Sequence, residues 1–274
     1  RVDRRQRQMC IRDRNKIAII VAKGEILDGR QPEGTVGGDS LADMFADVRD
    51  DDAVRAVVLR IDSPGGGVFA SEVIRDAIAA TREDAIPVVV SMGSVAASGG
   101  YWIAAETDRV LAMPTTITGS IGVFALIPNF EKGLSALGIR ADGVGSTSMA
   151  SAYQLDQKMT DQTRAIVQMG VEDIYRHFLK IVGEGRELAP DVVAEIAEGR
   201  VWTGTKALEL GLVDQLGDLS DAIQVAAGLA EIDDYIIDYR QQPMTVFEQI
   251  MSDFTVGIAS VIAVSYTHLR AHET

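Results

Sequence analysis

Three glycine-rich turns, each following a short apolar run, hold the residues of this chain best suited to chemistry. One reads Ser94-Val95-Ala96-Ala97-Ser98-Gly99-Gly100-Tyr101-Trp102 and follows the apolar run at 87–93. Small residues on both sides of Ser98 leave its hydroxyl accessible. A helix starting there would set backbone amides and a positive dipole end beside any oxyanion that forms. This is the logic of a nucleophile elbow without the G-x-S-x-G sequence. Serine is also a common helix cap, and the residues alone leave both readings open.

An earlier turn, Asp62-Ser63-Pro64-Gly65-Gly66-Gly67, lies between an apolar strand pattern and a helix pattern. Consecutive glycines let the backbone approach a ligand and aim amide hydrogens at it, as an oxyanion hole requires. A plain strand-to-helix turn has the same composition. The phosphate-binding patterns G-x-x-x-x-G-K-[ST] and G-x-G-x-x-G are absent from this turn. In the third turn, Thr118-Gly119-Ser120-Ile121-Gly122-Val123, the glycines suit a close pass of one strand against another backbone, and Ser120 is expected to be structural.

These turns need elements to hold them. Strand patterns occupy 16–22, 56–61, 88–91 and 109–112, and the middle ones are apolar on both faces, as in a covered parallel sheet. Helical patterns occupy 39–49, 70–81, 98–105 and 161–182. The alternation predicts a layered α/β domain over 15–240 with right-handed crossovers. Helical patterns at 190–198, 205–210 and 221–230 predict a cap, followed by a strand at 235–239. The arginine-dense 1–14 and the segment 265–274 have no core-forming periodicity and are expected to be non-domain tails. Within 241–264, Val246, Phe247, Ile250, Met251 and Phe254 are spaced as one face of an amphipathic helix.

Composition narrows the function classes. The formal net charge is −14 over 274 residues, which opposes nucleic-acid binding, where phosphates must be neutralised. A lone cysteine, Cys10, excludes an internal disulfide, and three histidines make a multi-histidine metal centre unexpected. No cofactor or metal is expected. No apolar run reaches the ~18 residues of a spanning helix, the longest being 256–264.

Taken in order, SPGGGV, SMGSVAASGGYWIA, TGSIGVF and VWTGTKALELGLVDQLG resemble the signal peptide peptidase A family. The similarity runs from about residue 15 to 240. It is nearest the C-terminal half of the long two-repeat bacterial form at 20–24, 35–39 and 200–204. The resemblance implies a crotonase-like fold related to the Clp protease subunit. It implies Ser98 as nucleophile, and an oxyanion hole built from the amides of Gly66 and Gly99. It also implies apolar peptide substrates, a homo-oligomer, and a site on the periplasmic face of the bacterial inner membrane.

In this family a lysine kept neutral by burial activates the serine. In short members it follows the TGS motif in a segment that here reads GVGSTSMASAY, at 143–153, without lysine. In long members the first repeat supplies it, so the base is expected from a repeat outside this sequence. Lys16, Lys23, Lys132, Lys158, Lys180 and Lys206 are expected on exposed surfaces, and His177 on a surface or at a partner contact. Two other readings stay open. One is a crotonase-like acyl-CoA enzyme, and the other is a non-catalytic half serving oligomer assembly.

Overall fold

The computed structural model describes residues 14–147, 150 and 154–240. The described residues up to Arg240 form one compact unit. The expected helix at 241–264 and both tails, Arg14 excepted, lie outside the described residues.

The elements run β1 (Asn15–Lys23), β2 (Ile26–Leu27), β3 (Val36–Gly37), α1 (Gly38–Arg49), β4 (Val54–Ser63), α2 (Val68–Glu83), β5 (Val88–Ala97) and α3 (Gly99–Trp102). There follow β6 (Arg109–Ala112), β7 (Ile117–Gly119), α4 (Glu131–Ala136), α5 (Asp161–Gly185) and α6 (Pro190–Ile196). Then come β8 (Val201–Thr203), α7 (Gly204–Glu209), β9 (Gln215–Leu216), α8 (Leu219–Leu229) and β10 (Tyr235–Arg240). The main sheet has the order β10-β1-β4-β5-β6-β9, with β7 on the far end of β5 and β8 on β7. Every pair in it is parallel except β7 with β8. The mixed α/β class and the parallel sheet match the expectation.

The double burial follows from the two-residue period of a strand. In β4, Val57, Leu59 and Ile61 join the core beneath α1, α2, α3 and α5, whereas Ala56 and Val58 join a second core under α8. Both faces are apolar because both are covered.

Two expectations need correction. The helix read at 98–105 spans only Gly99–Trp102, because the chain must turn back to start β6 beside β5 at Arg109. With four residues, α3 has little macrodipole to offer Ser98. The C-terminal segment is also more than a cap. Ala222, Ala226 and Ala227 of α8 seal the second sheet face, and β10 pairs in parallel along β1 from Asn15–Tyr235 to Ile20–Arg240. Ile17 and Ile19 sit fully buried under that layer.

Candidate active site

The site forms where β4 and β5 end at their carboxyl ends, the usual ligand side of a parallel sheet. Their register shifts between Ile61 and Ser63, so Ser63 pairs with Ala96. The Asp62 carboxylate there accepts the Val95 amide at 3.1 Å in place of a ladder bond. The tail of β5 is thereby turned onto β7, where Ala97 pairs with Gly119. Ser98 follows, its amide donating to the Gly119 carbonyl at 2.9 Å.

The Ser98 backbone has φ 52° and ψ −120°. An ordinary N-cap is extended, with its side chain accepting a bond from the helix, whereas Ser98 is neither extended nor bonded in that way. The cap reading of the sequence therefore does not describe this turn. A non-glycine residue in such a conformation persists only where the surroundings over-determine it. Here they do: its amide is tied to Gly119, and its carbonyl accepts the amides of Tyr101 and Trp102, both at 2.9 Å.

The SPGGG turn lies directly against Ser98. A methyl group on Gly65, which has φ +100°, would fall 2.6 Å from the Gly99 nitrogen and 2.8 Å from the Ser98 Cβ. One on Gly99 would fall 3.2 Å from the Gly66 nitrogen. Only glycines allow this approach, which packs the backbone of the Gly65–Gly66 turn against Ser98 and Gly99. Neither the Gly66 amide nor the Gly99 amide donates a hydrogen bond to another of the described residues. β2 straps the turn from the other side. The Ile26 amide donates to the Gly65 carbonyl at 2.9 Å, and the Gly67 amide donates to the Ile26 carbonyl at 2.8 Å. The Asp28 carboxylate accepts the Ala70 amide at 3.1 Å, capping α2 from a distance where Gly67 provides no side-chain cap.

Ser98, Gly65 and Gly66 open into a groove of about 920 Å³, walled by Ser120, Val123 and Phe124 on one side and by Gln168, Glu172 and Tyr175 of α5 on another. The ionisable carboxylates on its lining are Glu25, Glu172 and Glu198, and among the described residues no lysine or arginine lines it. A smaller cavity of about 100 Å³ also reaches Ser98, Gly66 and Gly99, and is lined by Val68, Ser71, Trp102, Val123, Phe124 and Phe178. Beside it, the Trp102 indole donates to Glu72 at 2.8 Å. Burial alone would raise the Glu72 carboxyl, but hydrogen bonds from Arg75 and Trp102 outweigh it and hold the carboxyl at about 2.

Ser120 is at φ 50°, with its amide donating to the Arg200 carbonyl at 2.7 Å, so it faces the groove from a tightly bonded turn. None of the six lysines lines the groove. Lys16 pairs with Asp51 at 2.8 Å, Lys180 with Glu184 at 3.8 Å and Lys206 with Glu209 at 2.8 Å; Lys23, Lys132 and Lys158 are exposed. Within 143–153, residues 148, 149 and 151–153 lie outside the described residues. His177 is half-exposed and packs on Trp102 with ring centroids 5.5 Å apart, its Nε2 lying 3.3 Å from Glu72. Among the described residues no group of three or more potential ligands could hold a metal ion, and no helix is long and apolar enough to cross a membrane.

Sequence reading missed Ile26, Asp28 and Glu72. The i, i+3 spacing of Glu72 and Arg75 is visible in the sequence, but the contact of Glu72 with Trp102 arises only in the packed fold.

A strained serine at the end of a parallel strand, with a glycine-rich turn packed beside it, is a hydrolase-like arrangement. Residues 80–233 match Peptidase family S49, and the chain belongs to that family. It is 43% identical over 246 residues to Protease 4 of Salmonella typhi, a match covering 90% of this chain and 40% of that protein. To Protease 4 of Haemophilus influenzae it is 38% identical over 250 residues, covering 89% of this chain and 40% of that protein. To the chloroplastic serine protease SPPA of Arabidopsis thaliana it is 33% identical over 228 residues, covering 80% and 33%. The chain thus spans about 40% of the length of its Protease 4 relatives.

Proposed function

We propose that this chain is the nucleophile-bearing part of a crotonase-like serine peptidase that hydrolyses short apolar peptides, cleaved signal peptides among them. The observation that carries the reading is the backbone of Ser98, φ 52° and ψ −120°, at the mouth of a peptide-sized groove. Strained non-glycine residues cluster at active sites. The names of relatives called proteases and serine protease support the same chemistry.

In this reading the Ser98 hydroxyl attacks the scissile carbonyl carbon, and its proton passes to a neutral lysine amine. The amides of Gly66 and Gly99 stabilise the oxyanion. Collapse breaks the C–N bond, and the lysine returns the proton to the leaving amine. Water, deprotonated by the same lysine, then attacks the acyl carbon, and the lysine returns that proton to the Ser98 oxygen as the ester bond breaks. The lysine comes from a further repeat outside this sequence, in a homo-oligomeric assembly on the periplasmic face of the bacterial inner membrane. Phe124, Leu126 and Leu137, exposed at 89%, 84% and 76%, are consistent with a covering partner, because large exposed apolar side chains in one stretch of chain are what an interface would bury. The acidic groove lining speaks against a coenzyme A ligand, whose phosphates need cations.

The test is Ser98→Ala in the complete protein. Turnover of an apolar peptide ester and fluorophosphonate labelling should both vanish, while the fold persists. Retained turnover in the alanine variant would remove Ser98 from the mechanism.

A further inference from the structure

Beneath Ser98, one carboxylate ties together residues that the reaction itself does not require. Glu72 is largely buried in α2, its side chain 28% exposed, and uses both oxygens. Arg75 grips it twice, Nε to Oε2 at 2.8 Å and a terminal nitrogen to Oε1 at 2.7 Å, and Arg75 is itself anchored by Glu106 at 2.6 Å. The fixed carboxylate then accepts the Trp102 indole N–H at 2.8 Å. A nearly fully buried indole without that acceptor would carry an unsatisfied donor, so the bond sets the ring's orientation. Phe178 packs on the ring with centroids 4.6 Å apart. This clamped Trp102 lines the cavity of about 100 Å³ that reaches Ser98 and Gly99.

We propose that Glu72 is a positioning residue for substrate specificity: by holding the Trp102 indole, it fixes the wall of the cavity that receives the substrate side chain next to the bond cleaved. The inference rests on the peptidase reading of Ser98. At about 100 Å³ the cavity is smaller than the roughly 150 Å³ that accommodates benzene, and it is partly open. A branched aliphatic group therefore fills it, while an aromatic ring fits it less well with Trp102 in place. Trp102 also donates its backbone amide to the Ser98 carbonyl, so a freed indole changes cavity shape while the backbone bond at the nucleophile can remain.

The experiment compares peptide esters carrying Leu or Phe on the acyl side of the scissile bond, in the complete protein, with wild type, Glu72→Ala, Glu72→Gln and Ser98→Ala. Wild type should favour Leu. Glu72→Ala should lower the Leu-to-Phe ratio of kcat/KM by about tenfold, a typical scale for pocket-based discrimination, mostly through KM. Glu72→Gln, which keeps an acceptor for the indole, should restore most of the ratio. Trp102→Phe, which keeps an aromatic ring but lacks the N–H, should shift the ratio in the same direction as Glu72→Ala and serves if that variant fails to fold. An unchanged ratio in Glu72→Ala and Trp102→Phe, with Ser98→Ala silent, overturns this proposal alone. Equal loss on both esters does so too, and makes Glu72 a partner of Arg75 in stability only. Turnover that survives Ser98→Ala overturns the proposal together with the reading of the site.

Discussion

Ser98 sits at a backbone conformation that suits glycine better than serine. Such a residue costs on the order of 1–3 kcal/mol in the folded state. Replacing it by glycine relieves that cost but increases the entropy of the unfolded chain, by roughly 0.5–1 kcal/mol. Ser98→Gly should therefore exceed Ser98→Ala in stability by about 1 kcal/mol in urea denaturation. Equal midpoints for the two variants would show that the turn is unstrained. Small residues around Ser98 were visible in the sequence, and so were the glycines that approach it. The strain was not, because it is imposed by bonds from Gly119, Tyr101 and Trp102, which come together only after β5, β7 and α3 have packed.

Among the elements, the strands at the centre were the easiest to read. β4 and β5 are buried on both faces and bounded by turn residues, so their apolar runs carry the signal directly. The length of α3 was not legible. YWIAA has helical composition, but the chain turns back after Trp102 to begin β6 beside β5 at Arg109. β10 was legible as a strand but not as the edge partner of β1, since that pairing joins the two ends of the domain. The short β2 was not seen at all, although it straps the glycine turn. Its contribution can be measured through Asp28, which caps α2 across space. Asp28→Ala should cost about 1 kcal/mol, the usual value of a lost cap, and should lower turnover by loosening the Gly65–Gly67 turn. Asp28→Asn, which can still accept the Ala70 amide, should lose much less. Equal melting temperatures for Asp28→Ala and wild type would show that β2 alone holds the turn.

For the molecule as a whole, the central claim is that nucleophile and oxyanion donors lie in this chain while the base does not. None of the six lysines lines the groove, and three of them are paired with carboxylates elsewhere. An unassisted serine hydroxyl is a weak nucleophile at neutral pH, and general-base assistance typically contributes ~10²–10⁴ in rate. The most direct measurement is hydrolysis of an apolar peptide ester by this chain alone, and again after co-expression with a lysine-bearing first repeat, each with and without Ser98→Ala. The expected result is no turnover by the chain alone and Ser98-dependent turnover once the repeat is supplied. Robust Ser98-dependent turnover by the chain alone would contradict the account and place a base within the chain or a second copy of it.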